Sequence, residues 1–172
     1  MRVWQPDSLV SSSPAVGAIA DRVTRALDDV QRHAAEAAND WRPVLFSAID
    51  EIARECSLAN WDGYSAVAIS EPVRMRALDF ALALRERLPR GTPAPELIPE
   101  PDGELSISWE LAPDLVFSVS VGSSDRLHYS GILATVEQQG VERMGSSVPR
   151  TILDAITRLC EARRNGAGSR RA

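Results

Sequence analysis

The chain has 172 residues, 44% of them hydrophobic and 25% charged, the make-up of one globular domain with a sizeable core, or of a domain plus an appendage. Its net charge is −5 and all 19 of its cations are arginine, so a nucleic-acid binder that relies on a broad basic face is disfavoured. No apolar run approaches the roughly 20 residues that span a bilayer, and two cysteines with two histidines leave no zinc-type ligand set, so neither a membrane partner nor a metal or other cofactor is expected.

Residues 1–14 carry Pro6, Pro14 and the run Ser11-Ser12-Ser13 and read as a flexible leader. They lack the apolar core of an export signal, which makes the cytoplasm the expected location. Residues 15–57 read as an N-terminal helical segment. In its first half Val16, Ala20, Val23, Leu27, Val30, Ala34 and Ala37 recur at alternating steps of four and three, one narrow apolar stripe. A lone helix of this kind is marginal in water and needs a partner, either its own domain or a second copy. Val16, Val23, Leu27 and Val30 are therefore candidate self-association residues of a homodimer. Asn39-Asp40 caps or breaks this helix, and Pro43 falls in the first turn of the next, where proline is tolerated. The alternative is one helix kinked at Pro43. Leu45, Ile49, Ile52 and Cys56 mark the second apolar face.

Asn60-Trp61-Asp62-Gly63-Tyr64 follows, with two of the chain's few aromatics flanking an Asp-Gly turn pair. Such a turn holds Trp61 and Tyr64 in fixed directions with a carboxylate between them. Two readings stay open: a rigid corner of the core with Asp62 capping backbone N–H groups, or a contact site for a partner or ligand made by Trp61, Asp62 and Tyr64. They separate on whether Asp62 points to backbone amides or into a cleft. Ser70 and Pro72 open a third helix with Val73, Ala77, Phe80, Ala81, Leu84 and Leu88 on one face, and Pro89, Gly91, Pro93 and Pro95 end it.

The period then switches to two. Leu105, Ile107, Trp109 and Leu111 alternate with Ser106, Ser108 and Glu110, and Leu115, Phe117, Val119 and Val121 with Ser118 and Ser120. The serine faces are expected in solvent and the apolar faces under helices. A longer third strand is expected from Leu127 to Val136, apolar on both faces near Ile132, Leu133 and Ala134 and so central or doubly covered. A short fourth strand is placed around Val141–Met144. Ser146 or Ser147 is expected to cap a last helix carrying Ile152, Ile156 and Leu159 and ending at Asn165-Gly166. Arg163, Arg164, Arg170 and Arg171 then form a solvated patch, with residues 165–172 a disordered basic tail. Residues 58–164 are thus expected to form an α+β domain, a three- to four-stranded antiparallel meander packed against helices.

The string Asn60-Trp61-Asp62-Gly63-Tyr64-Ser65-Ala66, a helix ending at Leu88-Pro89, then Ile98-Pro99-Glu100-Pro101-Asp102-Gly103 and a strand ending at Trp109 resemble a family of small uncharacterised bacterial proteins. Its signature runs Asn-Trp-Asp-(Gly/Ser)-Tyr-Gly-Ala and later Pro-Asp-Gly-Gly. The likeness covers about residues 57–135. Ser65 and Glu104 stand here where the family carries glycine. The resemblance implies gene neighbourhoods of mobile or phage-like elements and no assigned reaction.

Catalytic constellations are not legible. Asp62, Asp102, Glu104, Glu110 and Asp114 are the carboxylates available for acid–base work, but Asp102-Gly103 and Pro113-Asp114 are accounted for by turn chemistry. His33 and His128 read as structural or solvated. The expectation is a non-enzymatic protein-interaction module, an accessory, inhibitor or antitoxin-like factor, with a protein partner. The alternative is a small enzyme or small-molecule binder with its pocket at Trp61, Asp62 and Tyr64.

Overall fold

The computed structural model describes residues 40–169. The expected leader and the stripe of Val16, Val23, Leu27 and Val30 lie outside them. The described residues order three helices and five strands: α1 (Arg42–Glu55), α2 (Glu71–Arg87), β1 (Glu96–Pro99), β2 (Leu105–Ala112), β3 (Leu115–Val121), β4 (Arg126–Leu133), β5 (Val136–Arg143) and α3 (Arg150–Ser169). The fold is α+β. Its sheet is an antiparallel meander in the order β1-β2-β3-β4-β5, five strands rather than three to four.

The register aligns Leu105 with Val121, Ile107 with Val119 and Trp109 with Phe117, so the apolar members of β2 and β3 share one face. Three helices cover that face. α1 contributes Leu45, Ile49 and Ala53 at steps of four, α2 Val73, Ala77, Phe80, Ala81 and Leu84, and α3 Ile152, Ala155, Ile156 and Leu159. These residues form one core cluster with the sheet. The apolar face of α1 is buried in the same core as α2 and the sheet, so α1 and the elements after residue 57 share one core. A single helix kinked at Pro43 is also excluded for the described residues: α1 begins at Arg42, and Pro43 lies in its first turn.

Several further expectations are corrected. The long third strand is a strand plus a tight turn, since Ala134 and Thr135 reverse the chain between Leu133 and Val136. Ala134 takes φ 58 there and donates its N–H to Asp114 O at 2.7 Å. β4 is an inner strand, between β3 and β5 as expected, but it is not covered on both sides, and Ile132 is exposed. The fourth strand occupies Val136–Arg143 in place of Val141–Met144. β1 adds a strand ahead of the expected first, while β2 runs from Leu105 to Ala112 and includes Leu111 as the alternation expects. Ser70 holds the N-cap position of α2 in extended geometry but its side chain makes no capping bond. Ser146 and Ser147 lie in a bend, and α3 starts at Arg150 on the carbonyl of Pro149. That helix runs on through Asn165-Gly166 to Ser169, so the expected tail is helical over 165–169.

The serine faces also differ from expectation. Ser106 and Ser108 are buried, Ser118 and Ser120 half-buried, and the hydroxyls of Ser106 and Ser120 hydrogen-bond at 2.9 Å. Both central strands flank these small side chains with neighbours on either side. Among the described residues no helix is long and apolar enough to cross a membrane.

Candidate functional site

α1 stops at Cys56, and residues 57–70 return the chain to α2. Three residues of this loop take positive φ: Asn60 at 64, Gly63 at 79 and Ser65 at 79. Positive φ costs an L-residue with a side chain about 1–2 kcal/mol, least for Asn, so two of the three positions are occupied by residue types suited to them. Ser65 is the exception. It carries a side chain at a left-handed position that glycine fits without strain.

Local hydrogen bonds hold the loop. Gly63 N donates to Asn60 O at 3.0 Å and Asn60 N to Ala66 O at 2.7 Å, closing the turn from both ends. Asp62 Oδ1 accepts from Tyr64 N at 2.7 Å and Ala66 N at 3.0 Å, and Asn60 Oδ1 accepts from Ser65 N at 2.8 Å. The Trp61 indole donates to Val67 O at 3.0 Å. The amides of Tyr64 and then Ala66 hold the Asp62 carboxyl below the usual carboxylate range.

The two motif segments meet. Val67 N donates to Pro101 O at 2.8 Å, in the turn where Gly103 N donates to Glu100 O and Asp102 Oδ1 accepts from Glu104 N. Gly103 takes φ 87, and a Cβ there would lie 3.0 Å from Val67 Cγ1 and 3.2 Å from Ala68 O. Glycine is needed on both counts, for the conformation and for the approach. Residues 60–67 and 100–104 thus build one corner.

Within that corner the three candidate residues part company. Asp62 faces backbone amides. Trp61 is half-buried and packs against the core. Tyr64 points outward and is 88% exposed. Leu58 and Val67 in the same loop are exposed too, at 76% and 55%, and neither was singled out from the sequence. Their only signal was being apolar in a turn-rich stretch, which does not separate exposed from buried residues.

The other carboxylates are dispersed. Burial, and then the nearby Asp102 charge, pushes the Glu104 carboxyl up, while Glu110 and Asp114 are exposed. His128 is exposed on the sheet face away from the helices. Cys56 and Cys160 are free thiols, both pushed up by burial. Among the described residues no three His, Cys, Asp or Glu side chains are grouped to hold a metal ion.

No family model, curated protein or solved structure matches this chain.

Proposed function

We propose that the chain is a non-enzymatic protein-interaction module that uses Tyr64 as its anchor. The observation that carries this reading is the contrast between Tyr64 and its support: a tyrosine 88% exposed, on a loop held by hydrogen bonds from Asn60, Trp61 and Asp62. A loop whose backbone is already fixed loses little conformational entropy on binding, and tyrosine is among the residues that dominate protein contacts. Leu58 and Val67 supply apolar area beside it in the chain. The pocket reading is weakened by the commitment of Asp62 to two backbone amides.

The finer parts of the proposal are a cytoplasmic location and a role as an accessory, inhibitor or antitoxin-like factor of a mobile element; their support is the resemblance. Self-association through Val16, Val23, Leu27 and Val30 belongs to the same reading. Val23→Asp with Leu27→Asp should convert a dimer into a folded monomer by light scattering, and a monomeric parent protein rejects it.

The central test is affinity capture from the native host with the parent chain and with Tyr64→Ala. A partner retained by the parent and lost by the variant, at an unchanged melting temperature, is expected. Equal recovery by both removes Tyr64 from the interface and the reading with it.

A further inference from the structure

The loop that joins α2 to β1 is built with its carbonyl oxygens consumed from one side. Trp41 Nε1 donates to Thr92 O at 2.7 Å, Arg42 Nη2 to Leu88 O at 3.0 Å and Pro89 O at 2.8 Å, and Trp109 Nε1 to Pro93 O at 3.1 Å. Its acceptors are therefore engaged by the core. Between this loop and α3 lies a hollow of about 250 Å³, lined by Pro89–Pro93 on one wall and by Thr157, Cys160, Arg163 and Arg164 on the other.

Arg90, Arg163 and Arg164 are among its lining residues, Arg164 with its Nε donating to Cys160 O at 3.4 Å, and among the described residues no carboxylate lines it. Glu161, the one acidic residue in this stretch of α3, is not among the lining residues. None of the three arginines forms an ion pair among the described residues. Like charges brought together repel unless an anion sits between them. Arg163 and Arg164 lie more than a turn before the helix end at Ser169, so the negative end of the helix dipole, which acts within the last turn, weighs little against an anion here.

We propose that this hollow binds a compact multivalent oxyanion, of the size and charge of a diphosphate group. Guanidinium is suited to such a ligand because its planar donors pair with two oxygens at once. The volume argues for a small ion, since pockets for drug-sized ligands run to roughly 300–1,000 Å³. A polynucleotide is disfavoured, because it needs a basic track and this chain carries a net charge of −5. The site is separate from the Tyr64 corner and does not depend on it.

The test is calorimetric titration of the full chain with inorganic pyrophosphate, alongside citrate and a short DNA duplex. Saturable one-to-one pyrophosphate binding is expected, weakened about tenfold or more by Arg90→Glu and by Arg163→Glu and unchanged by Arg143→Glu on β5. Citrate binding as tightly as pyrophosphate assigns the ligand to carboxylates, and weaker citrate binding assigns it to phosphates; both support an oxyanion site. Absence of saturable binding overturns the proposal, as does equal weakening by Arg143→Glu or tighter binding of the duplex. Should a charge reversal disturb the fold, Arg90→Gln and Arg163→Gln replace it. Amide shifts of Gly91 and Thr92 in the unmodified chain, expected on titration and fatal if absent, locate the site without any substitution.

Discussion

Two loops of this protein are pinned by tryptophan indoles, and they are pinned in opposite ways. In residues 57–70 the donor and acceptor belong to the loop itself: Trp61 reaches Val67, six residues on, and Asp62 reaches the amides of Tyr64 and Ala66. In residues 88–95 the donors come from afar, Trp41 from 51 residues away, Arg42 from 46 and 47, and Trp109 from 16. The first loop is a local structure that the fold carries. The second is a structure that the fold makes. Disrupting a donor should accordingly stay local in the first and spread through the core in the second.

The largest expected effect comes from the distant donors. Trp109 is fully buried in β2, and its indole supports Pro93 O. Trp109→Ala should cost about 3–5 kcal/mol in urea unfolding, cavity and lost hydrogen bond together. Arg42→Met comes next. The side chain is buried, pairs with Asp40 at 3.0 Å and serves two carbonyls, although its Nε finds no partner among the described residues. Removing it should cost about 2 kcal/mol, because a buried carbonyl left unpaired is penalised by roughly 1–3 kcal/mol. Methionine keeps much of the packing, so the value stays below that for Trp109. Loss of only a few tenths in either variant would erase the distinction between the loops.

The same contrast governs what could be read in advance. The Asp-Gly corner was legible because its determinants lie within a few residues of one another, and the alternation of β2 and β3 because one apolar face is paired with one small polar face. β1 and the β4–β5 turn were not. β1 lies in a proline-rich stretch with Leu97 and Ile98 adjacent, so no period of two stands out. The turn uses Ala134 at φ 58 and Thr135, neither a turn-former, and its support comes from Asp114 O across the sheet. Arg90 escaped, and Arg163 and Arg164 were read only as a solvated patch, for the same reason: their association is made only when α3 packs beside the α2–β1 loop. The split of Trp61, Asp62 and Tyr64 into packing, hydrogen-bonding and exposed roles needed coordinates.

A smaller effect is expected at the local corner. Asp62→Ala should lower the melting temperature by only a few degrees at neutral pH, since of the two amides it releases the Tyr64 N–H is exposed to water and only the Ala66 N–H is part-buried. Its pH dependence gives a sharper check. The folded-state pKa lies below the ordinary value of 3.8, so the stabilisation is complete above that value and disappears as pH falls through the lower folded-state value. The gap between parent and variant should therefore narrow below about pH 4 in parallel acid melts. A gap that widens toward acid pH would mean that the amides do not hold the ionised carboxylate.

The smallest effect should have the opposite sign. Ser65 sits at φ 79 with an exposed side chain, and the hydrogen bond that fixes it runs from its own backbone N–H to Asn60 Oδ1. Ser65→Gly keeps that bond. It relieves a left-handed conformation that costs a side-chain-bearing residue about 1–2 kcal/mol. Against this, glycine adds freedom to the unfolded chain, worth about 0.4–1 kcal/mol. The relief exceeds the entropy, so the variant should be more stable by roughly 0.5 kcal/mol. Urea midpoints at constant slope measure it. A purely local loop should yield the gain without altering contacts elsewhere, and Tyr64-dependent capture should persist. If Ser65→Gly is destabilising instead, the Ser65 side chain makes a contribution that outweighs the relief of its left-handed backbone.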